Sequence, residues 1–414
     1  MIQLLIRLIN RLLKKDKTPL IFVIGPTGVG KTKLSVELAK HFESEIISAD
    51  SMQLYKDLDI ITNKATDQEK QGVPHHLIDF ADPLRPFTVV DYRNRALPII
   101  EKLLKENKTP IIAGGTMYYV ESILYKILIN PDDQGDDLVT EKDEETMRGM
   151  IDSGNVTLDG TIDKETLFAR PIIPKALKSV PSEVLHSILR MVDPEMANQL
   201  DPNEKRKIIR SLQVYQKSGR KHSEWIEEQK SMKGGNKFGG PLRYPNSLIF
   251  YLICDEEVLN KRLDDRVDSM IEQGLIDEMT KFHENYNMTR LEQKQTADYT
   301  EGIFQSIGFK EFHSYLMLSP EEKESEKGQK LLKNSVERLK LVTRRYARKQ
   351  KKWIKNRLLS ATDRPTPDIF ELDTTNLDQW NTQVKEKAIE IVNLFSHYQS
   401  YPDEFKPIKQ TVYV

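Results

Sequence analysis

The chain has 414 residues, which is enough for roughly two or three domains with a sizeable core. Its 62 Lys and Arg nearly balance 63 Asp and Glu, so the net charge of −1 indicates no class of partner. The single cysteine, Cys254, excludes an internal disulfide and a cysteine-based zinc site, and it suits a reducing compartment. No apolar run approaches the roughly 18 residues of a membrane span.

Residues 1–17 read MIQLLIRLINRLLKKDK, with leucines at helical spacing, many basic residues and one acid, Asp16. A basic, acid-poor amphipathic start is typical of a mitochondrial presequence, although serine is absent here. A frayed helix or a membrane-surface segment is the alternative, and the pattern does not decide between them. We expect the protein in the cytoplasm and the mitochondrion, with the nucleus as a further candidate compartment.

Residues 25–32 read GPTGVGKT and directly follow an apolar run at residues 20–24. Because residues 33–42 then have helical periodicity, strand, glycine-rich turn and helix follow in the order of a phosphate-binding P-loop. The N–H groups of such a turn surround a polyphosphate, the lysine adds positive charge, and the next hydroxyl can hold Mg²⁺. The predicted phosphate-binding residues are Gly25, Thr27, Gly28, Val29, Gly30, Lys31 and Thr32, with Mg²⁺ bound through the Thr32 hydroxyl.

Further short apolar runs alternate with amphipathic segments. We expect strands at residues 20–24, 45–49, 109–113 and 247–254, and helices at residues 33–42 and 91–107. This alternation predicts an α/β fold, a P-loop NTPase-like core with a parallel sheet, whose ligand lies beyond the carboxyl ends of the strands. Gly25, Asp50, Gly114 and Asp255 all follow strands, so we expect them to converge on one site.

The alternation stops between about residues 130 and 240, where an acidic stretch precedes helical patterns and a Gly/Lys loop. We assign residues 131–240 to a helical insertion domain, and residues 18–130 and 241–360 to the core. From residue 256 onward the pattern is largely helical, with one long basic helix expected at residues 329–357. Residues 361–414 lack strong periodicity and are assigned to a C-terminal extension.

Two strand ends carry candidate chemistry. Asp50 could act as a base or assist a metal, although an aspartate at a strand end is often only a cap or turn residue. Gly114, Gly115 and Thr116 could approach a phosphate closely, or form an ordinary tight turn. The strand before Gly114 does not end in the aspartate of a motor ATPase, so the pattern is more typical of small P-loop kinases.

Two arginines and two histidines are further candidates. Arg262 and Arg266 lie four residues apart on one helix face, either as a clamp on an anion or as salt-bridge partners of nearby aspartates. His75 and His76 lack the Cys or His partners of a zinc site. We therefore expect the two histidines to have a structural or substrate-contacting role.

Residues 338–357 contain ten basic side chains and no acid, together with Tyr346 and Trp353. Basic side chains neutralise phosphates and aromatic rings stack on bases, so this segment predicts nucleic-acid binding. Residues 205–210 form a second, weaker basic cluster. On these residues alone, a small-molecule kinase and a non-catalytic RNA-binding protein remain alternatives to an RNA-modifying enzyme.

Eight runs of the sequence, in order, resemble the tRNA dimethylallyltransferase family, and they look most like its fungal members. Spanning residues 20 to about 357, they read GPTGVGKT, ISADSMQLYKDLDI, GVPHHLID, PIIAGGTMYYV, DPNEKRKIIRSLQVYQKSGR, KRLDDRVDSMIEQG, QSIGFKEF and RRYARKQKKWIK. The resemblance implies transfer of a dimethylallyl group from dimethylallyl diphosphate to N6 of the adenosine just 3′ of the tRNA anticodon. It disfavours a kinase, and the presence of Lys31, Asp50 and Thr116 disfavours a non-catalytic protein.

The resemblance also implies residue roles. The P-loop and Mg²⁺ would hold the diphosphate, Asp50 would be the general base, and Thr116 and Arg266 would steady the leaving group with support from Arg262. The implied tRNA-binding residues are Asp50, Ser51, Met52, Gln53, Thr116, Arg206, Lys207, Arg210, Gln305, Gly308, Lys310, Arg345, Arg348, Lys349 and Trp353.

The remaining expectations concern assembly and the C-terminal end. The helical insertion would hold the anticodon stem, and we expect a monomer. Eukaryotic family members often end in a Cys₂His₂ zinc finger that helps to hold the tRNA. No cysteine follows Cys254, so the segment at residues 361–414 is expected to lack that finger.

Overall fold

A computed structural model describes residues 18–126, 162–169, 171–174, 176–236, 239–287, 299, 302–361, 364–397 and 399–409. The chain divides into two compact units, the first being Met1–Leu124 with Leu242–Val414 and the second Tyr125–Pro241. The second unit therefore begins slightly before the insertion expected at residues 131–240. The presequence considered at residues 1–17 and the acidic stretch at residues 132–145 lie outside the described residues.

The first unit is built on a six-stranded sheet in the order β3-β2-β4-β1-β5-β6. Every neighbouring pair of strands is parallel. Two adjacent inner strands, β1 and β5, are almost wholly buried, as expected of a sheet covered on both faces. The predicted α/β fold with a parallel sheet is confirmed. The strands are β1 Leu20–Ile24, β2 Ile46–Ser48, β3 His75–His76, β4 Ile111–Gly114, β5 Ser247–Ile253 and β6 Asp368–Asp373.

Helices of eight or more residues are labelled in chain order. In the first unit they are α1 Lys31–His41, α2 Val89–Lys105 and α3 Met117–Leu124. In the second unit they are α4 Ser182–Val192, α5 Lys205–Ser218 and α6 His222–Ser231. The first unit continues with α7 Glu256–Glu272, α8 Leu275–Phe282, α9 Phe309–Leu316, α10 Glu326–Ile354 and α11 Lys387–Ser396. Within the described ranges, no helix is long and apolar enough to span a membrane.

Capping residues decide where several helices begin. Helix α2 begins before residue 91 because the Thr88 hydroxyl and the Asp91 carboxylate form a reciprocal capping box. Residues 182–199 form two helices, since Asp193 ends α4 and caps the short helix Pro194–Gln199. Helix α10 begins at Glu326, with the Ser325 side chain as its cap.

The second unit has its own apolar core. Side chains of α4 and α5, among them Leu189 and Leu212, pack together in it. Asp193 is fully buried there, and its carboxylate accepts hydrogen bonds from the Ser223 amide at 2.9 Å and hydroxyl at 2.6 Å. These bonds satisfy a charge that would otherwise be costly to bury. Arg206 lies on the exposed side of α5.

The segment at residues 361–414 contributes to the core of the first unit, which the sequence pattern did not predict. Strand β6 pairs with β5, and its Ile369 and Phe370 are buried. A short π-helix then places Trp380 directly on the P-loop turn, since a β carbon on Gly30 would lie 2.8 Å from the indole. The indole nitrogen donates a hydrogen bond of 2.8 Å to Glu37 of α1.

Replacement of Trp380 with Ala should remove this packing. The ring is 2% exposed, so we expect the free energy of unfolding to fall by about 3–5 kcal/mol, as for other buried Trp-to-Ala changes. Urea unfolding would measure it. Leu377→Ala is the matched control, because Leu377 is 53% exposed and its loss should cost under about 0.5 kcal/mol. Equal small losses of stability in both variants would contradict the packing of Trp380 on the P-loop turn.

Candidate active site

The P-loop connects β1 to α1 at the carboxyl edge of the sheet. Gly28 has a φ of 86°, and a β carbon there would lie 2.8 Å from the Leu263 side chain of α7. Both the backbone conformation and the close packing therefore require glycine at this position. The turn leads into the N-terminus of α1, where N–H groups without helical partners and the helix dipole favour an anion.

Two cationic side chains are held against this turn. The Lys31 ammonium donates a hydrogen bond of 2.8 Å to the Pro26 carbonyl, and the Arg266 guanidinium donates one of 3.0 Å to the Thr27 hydroxyl. Burial lowers the pKa of Lys31 to about 8, with Asp50 opposing the shift and Arg266 adding to it. Burial also lowers the pKa of Arg266. Cations brought out of water in this way favour an anionic ligand, which would restore their stabilisation.

The ends of β2 and β4 meet beside the P-loop, as the sequence predicted. The Thr116 amide donates to the Ala49 carbonyl at 3.0 Å, and the Ser51 amide donates to the Thr116 hydroxyl oxygen at 2.9 Å. The Asp50 carboxylate accepts a hydrogen bond of 3.0 Å from the Met52 amide through Oδ1. This bond fixes the orientation of the carboxylate. A carboxylate, a hydroxyl and two cations therefore share one edge of the sheet.

Gln350 of α10 is a site residue that the sequence analysis did not identify. Its amide oxygen accepts a hydrogen bond of 2.8 Å from the Thr27 amide, and its amide nitrogen donates one of 3.0 Å to the Gly115 carbonyl. The side chain is 5% exposed. It therefore connects the P-loop to the loop after β4. Its presence as an uncharged residue within the basic run ARKQKK was the one available signal.

Tyr346 was expected to offer its ring for base stacking, and its position corrects that expectation. The side chain is only partly exposed and lies one turn of α10 before Gln350. Burial raises the pKa of its phenol and the charge of Asp50 raises it further, whereas hydrogen bonds with Thr116 and Gln350 act in the opposite direction. Tyr346 therefore belongs to the site beside Asp50.

Arg262 does not join Arg266 at the P-loop. Its guanidinium donates hydrogen bonds of 2.9 and 2.8 Å to the carbonyls of Thr374 and Thr375, just after β6. Asp255 likewise stays outside the site, since its carboxylate caps the N-terminus of α7. Arg262 binds the segment after β6 and Asp255 caps α7, so neither joins the groups at the P-loop. The expected convergence of Asp255 on this site is not met.

Other expected contact residues are occupied within the protein. Gln53 donates a hydrogen bond of 2.9 Å to the Asn63 carbonyl. Gly308 has a φ of 131°, and a β carbon there would lie 2.4 Å from the Ile61 side chain. His76 bonds to Glu45 at 2.6 Å, and the parts of the chain that the structure describes contain no cluster of three or more metal-ligating side chains. These positions maintain the loops around the site.

The expected RNA-contacting cations are on the surface. The exposed positions among the predicted residues are Arg206, Lys207, Gln305, Lys310, Arg345, Arg348 and Lys349. Arg210 and Trp353 are partly exposed. Helix α10 therefore presents two different faces, one with Tyr346 and Gln350 towards the site and one with basic residues towards solvent.

A P-loop at the carboxyl edge of a parallel sheet, faced by Asp50 and Arg266, defines the class: a P-loop α/β protein. Residues 53–357 match the family model described as IPP transferase. The chain belongs to this IPP transferase family.

Two relatives and one solved structure support this assignment. The chain is 43% identical over 392 residues to the tRNA dimethylallyltransferase of Homo sapiens, covering 94% of this chain and 77% of that protein. It is 38% identical over 385 residues to that of Schizosaccharomyces pombe, covering 91% and 78%. The structure of a eukaryotic dimethylallyltransferase acting on tRNA matches with a TM-score of 0.71 and 32% identity, covering 94% and 82%. The human protein is more similar in sequence to this chain than the Schizosaccharomyces pombe protein is. The expectation of a greater likeness to fungal members is therefore wrong for these relatives.

The depressed pKa of Lys31 predicts how anion binding depends on pH. An anion favours the charged ammonium, so above pH 8 binding must be accompanied by proton uptake, whereas below it the proton is already present. We expect the affinity for inorganic diphosphate to fall as pH rises above about 8, by up to about tenfold per pH unit. Titration calorimetry between about pH 7 and 9.5 would measure it.

Lys31→Met is the control for that measurement, because the ligand's own titration remains in the variant. Its affinity should be lower than that of the wild type and flatter with pH. The same slope in both proteins would contradict the role of Lys31.

Proposed function

We propose that this protein transfers a dimethylallyl group from dimethylallyl diphosphate to N6 of the adenosine 3′ of the anticodon in tRNA, releasing diphosphate. The observation that carries the proposal is the placement of Asp50 and Thr116 beside a P-loop that also holds Lys31 and Arg266. A transferase of this kind needs a base for the attacking amine and cations for the departing diphosphate. The relatedness of the chain to tRNA dimethylallyltransferases supplies the identity of both substrates.

The P-loop holds the diphosphate of the donor. Its N–H groups and the N-terminus of α1 bind the phosphate oxygens, and Lys31 exchanges the Pro26 carbonyl for one of them. Arg266 and Thr116 face the charge that develops on the leaving oxygen as the carbon–oxygen bond breaks. Such preorganised donors, shielded from water, can lower a barrier by several kcal/mol. Arg262 supports this set only indirectly, through its bonds to Thr374 and Thr375.

Asp50 acts as the general base. The exocyclic amine of adenine is a weak nucleophile, so a carboxylate within hydrogen-bond reach of it must take its proton as the new carbon–nitrogen bond forms. The Met52 amide binds one carboxylate oxygen, and the other is directed to the amine. The adenine reaches this position after leaving the stack of the anticodon loop. Ser51 and Met52 line the path of the base.

The residues present fit a magnesium ion that is bound mainly by the substrate. Thr32 follows Lys31 in the first turn of α1, and its side chain is exposed. Mg²⁺ usually keeps several waters and takes few protein ligands when phosphates supply the others. The Thr32 hydroxyl would hold the ion against the diphosphate. When bound, Mg²⁺ would neutralise negative charge on the leaving group.

The tRNA binds through basic and polar surface residues of both units. In the first unit, Arg345, Arg348 and Lys349 lie on the solvent side of α10, and Gln305 and Lys310 are exposed near α9. In the second unit, Arg206, Lys207 and Arg210 on α5 serve the anticodon stem. Their charges give affinity without sequence preference, since they contact the phosphate backbone.

Asp50→Asn tests the role of the base. Asparagine can still accept the Met52 hydrogen bond but cannot take a proton, so transfer of labelled dimethylallyl to unmodified tRNA should fall by about 10²–10⁴-fold. Binding of tRNA should persist. Asp255→Asn is the matched control at a neighbouring strand end, because asparagine caps a helix as well as aspartate does. Full transfer by Asp50→Asn would exclude this base, and a wild-type reaction that needs ATP would favour a kinase.

Salt dependence tests the basic face of α10. The triple variant Arg345→Ala, Lys349→Ala, Lys352→Ala removes three exposed charges. The slope of log affinity against log salt is negative, and its magnitude should fall by about 2 in this variant. Binding of an anticodon stem-loop at several salt concentrations would measure it. The control replaces Lys327, Lys330 and Lys333, which are exposed at the other end of the same helix. An equal change of slope in both triple variants would refute the assignment of this face.

A further inference from the structure

Two aromatic side chains form a surface pair near the site. The ring of Tyr118 is 65% exposed, and its centroid lies 6.0 Å from that of Trp353 at an interplanar angle of 69°. Trp353 is partly exposed. The contact joins the first turn of α3 to the last turn of α10. We refer to Tyr118 and Trp353 as the aromatic pair.

The aromatic pair is held in place by buried neighbours. Tyr119, the next residue, is buried and stacks on Tyr92 with centroids 4.0 Å apart, which fixes the first turn of α3. Under Trp353, the Arg357 guanidinium lies 5.6 Å from the ring centroid and bonds to Glu121 of α3 at 2.9 Å. Rigid aromatic surfaces lose little conformational entropy when a flat ligand binds, so they bind such ligands well.

The charge around the aromatic pair favours an anionic partner. Arg345 and Lys349 lie eight and four residues before Trp353, on the same stripe of α10, and both are exposed. Lys352, which directly precedes Trp353 in the sequence, is exposed as well. The nearby acid, Glu121, is 2% exposed and is paired with Arg357 and Arg364. A ligand with flat rings and negative charges, such as single-stranded RNA, fits both features.

The aromatic pair is also next to the reacting groups. Tyr118 follows Thr116 by two residues, and Thr116 bonds to the Ser51 amide beside Asp50. On α10, Gln350 lies one turn before Trp353 and bonds to the Gly115 carbonyl. The same two helix ends therefore carry the site on their inner side and the aromatic pair on their outer side.

We propose that Tyr118 stacks on a nucleobase that directly flanks the reacting adenosine, with Trp353 supporting its ring edge-on and the stripe of α10 binding the adjoining phosphates. The proposal rests on the proposed function, and it adds a positioning residue outside the reacting groups. When the adenosine leaves its stack, its neighbour in the anticodon loop loses a stacking partner. Tyr118 replaces that partner and so holds the strand in the geometry that presents the amine to Asp50.

Binding of an anticodon stem-loop to the full-length protein tests the proposal without turnover. Tyr118→Ala should weaken binding about 5- to 150-fold, the range for loss of one base–aromatic stack. Tyr118→Phe keeps the stacking surface and should bind like the wild type. Ile408→Ala is the matched control, because Ile408 is an apolar side chain that is 49% exposed. Its amide bonds to Ile369 at the amino end of β6, whereas the site lies at the carboxyl edge of the sheet.

A cycle with altered RNA separates stacking from a general loss of structure. Stem-loops that carry an abasic nucleotide on the 5′ or the 3′ side of the reacting adenosine lack one flanking base each. If Tyr118 stacks on one of the two flanking bases, Tyr118→Ala should hardly weaken binding of the RNA that lacks that base. The same loss on both abasic RNAs as on the intact RNA would overturn the proposal, as would wild-type affinity of Tyr118→Ala for the intact RNA.

Turnover distinguishes this proposal from the proposed function. Tyr118→Ala should raise the KM for the stem-loop and leave the KM for dimethylallyl diphosphate unchanged, because the Tyr118 ring is 65% exposed and contacts Trp353. Absence of transfer by the wild-type protein would refute the proposed function. The binding cycle would still give its own answer about the stack.

Discussion

The site depends on one side-chain amide that fixes the distance between two loops. Gln350 accepts from the Thr27 amide in the P-loop and donates to the Gly115 carbonyl after β4. An amide can do both because it carries a donor and an acceptor on one rigid plane. A charged side chain of similar length could make only one of these bonds. The separation of the phosphate-binding turn from the end of β4 is therefore set by the dimensions of a single functional group.

The chemistry of the site follows from how its charges are balanced. Lys31 and Arg266 are both desolvated, and the charge of Asp50 stabilises the charged forms of both. A diphosphate would enter a site that already has excess positive potential. Its binding free energy would include the stabilisation of the two cations that was lost when they were removed from water. The same Asp50 carboxylate is the proposed base for the attacking amine. One set of charges thus serves the leaving group and the nucleophile.

Sequence patterns were informative where the determinants are local. The P-loop spacing, the buried strands and the strand-end position of Asp50 all follow from short stretches of chain, and the parallel sheet then brings β2 and β4 together. Gln350 was not identified, and Tyr346 was assigned to base stacking, because their roles depend on contacts such as the one from Gln350 to Gly115, which is 235 residues away. Arg262 and Arg266 have the same spacing signal, yet only the former meets the carbonyls after β6. Helical periodicity could not distinguish these two outcomes.

The shape of the P-loop depends on packing by Trp380, a residue that is synthesised long after the loop itself. Glu37, its hydrogen-bond partner, precedes it by 343 residues, and its indole covers the turn at Gly30. On the ribosome, the phosphate-binding turn therefore emerges long before the residue that packs on it. Since segments that emerge early remain exposed until their partners follow, the P-loop would reach its final form only after Trp380 has emerged. The nascent enzyme would be unable to sequester its prenyl donor until the segment that carries Trp380 has emerged.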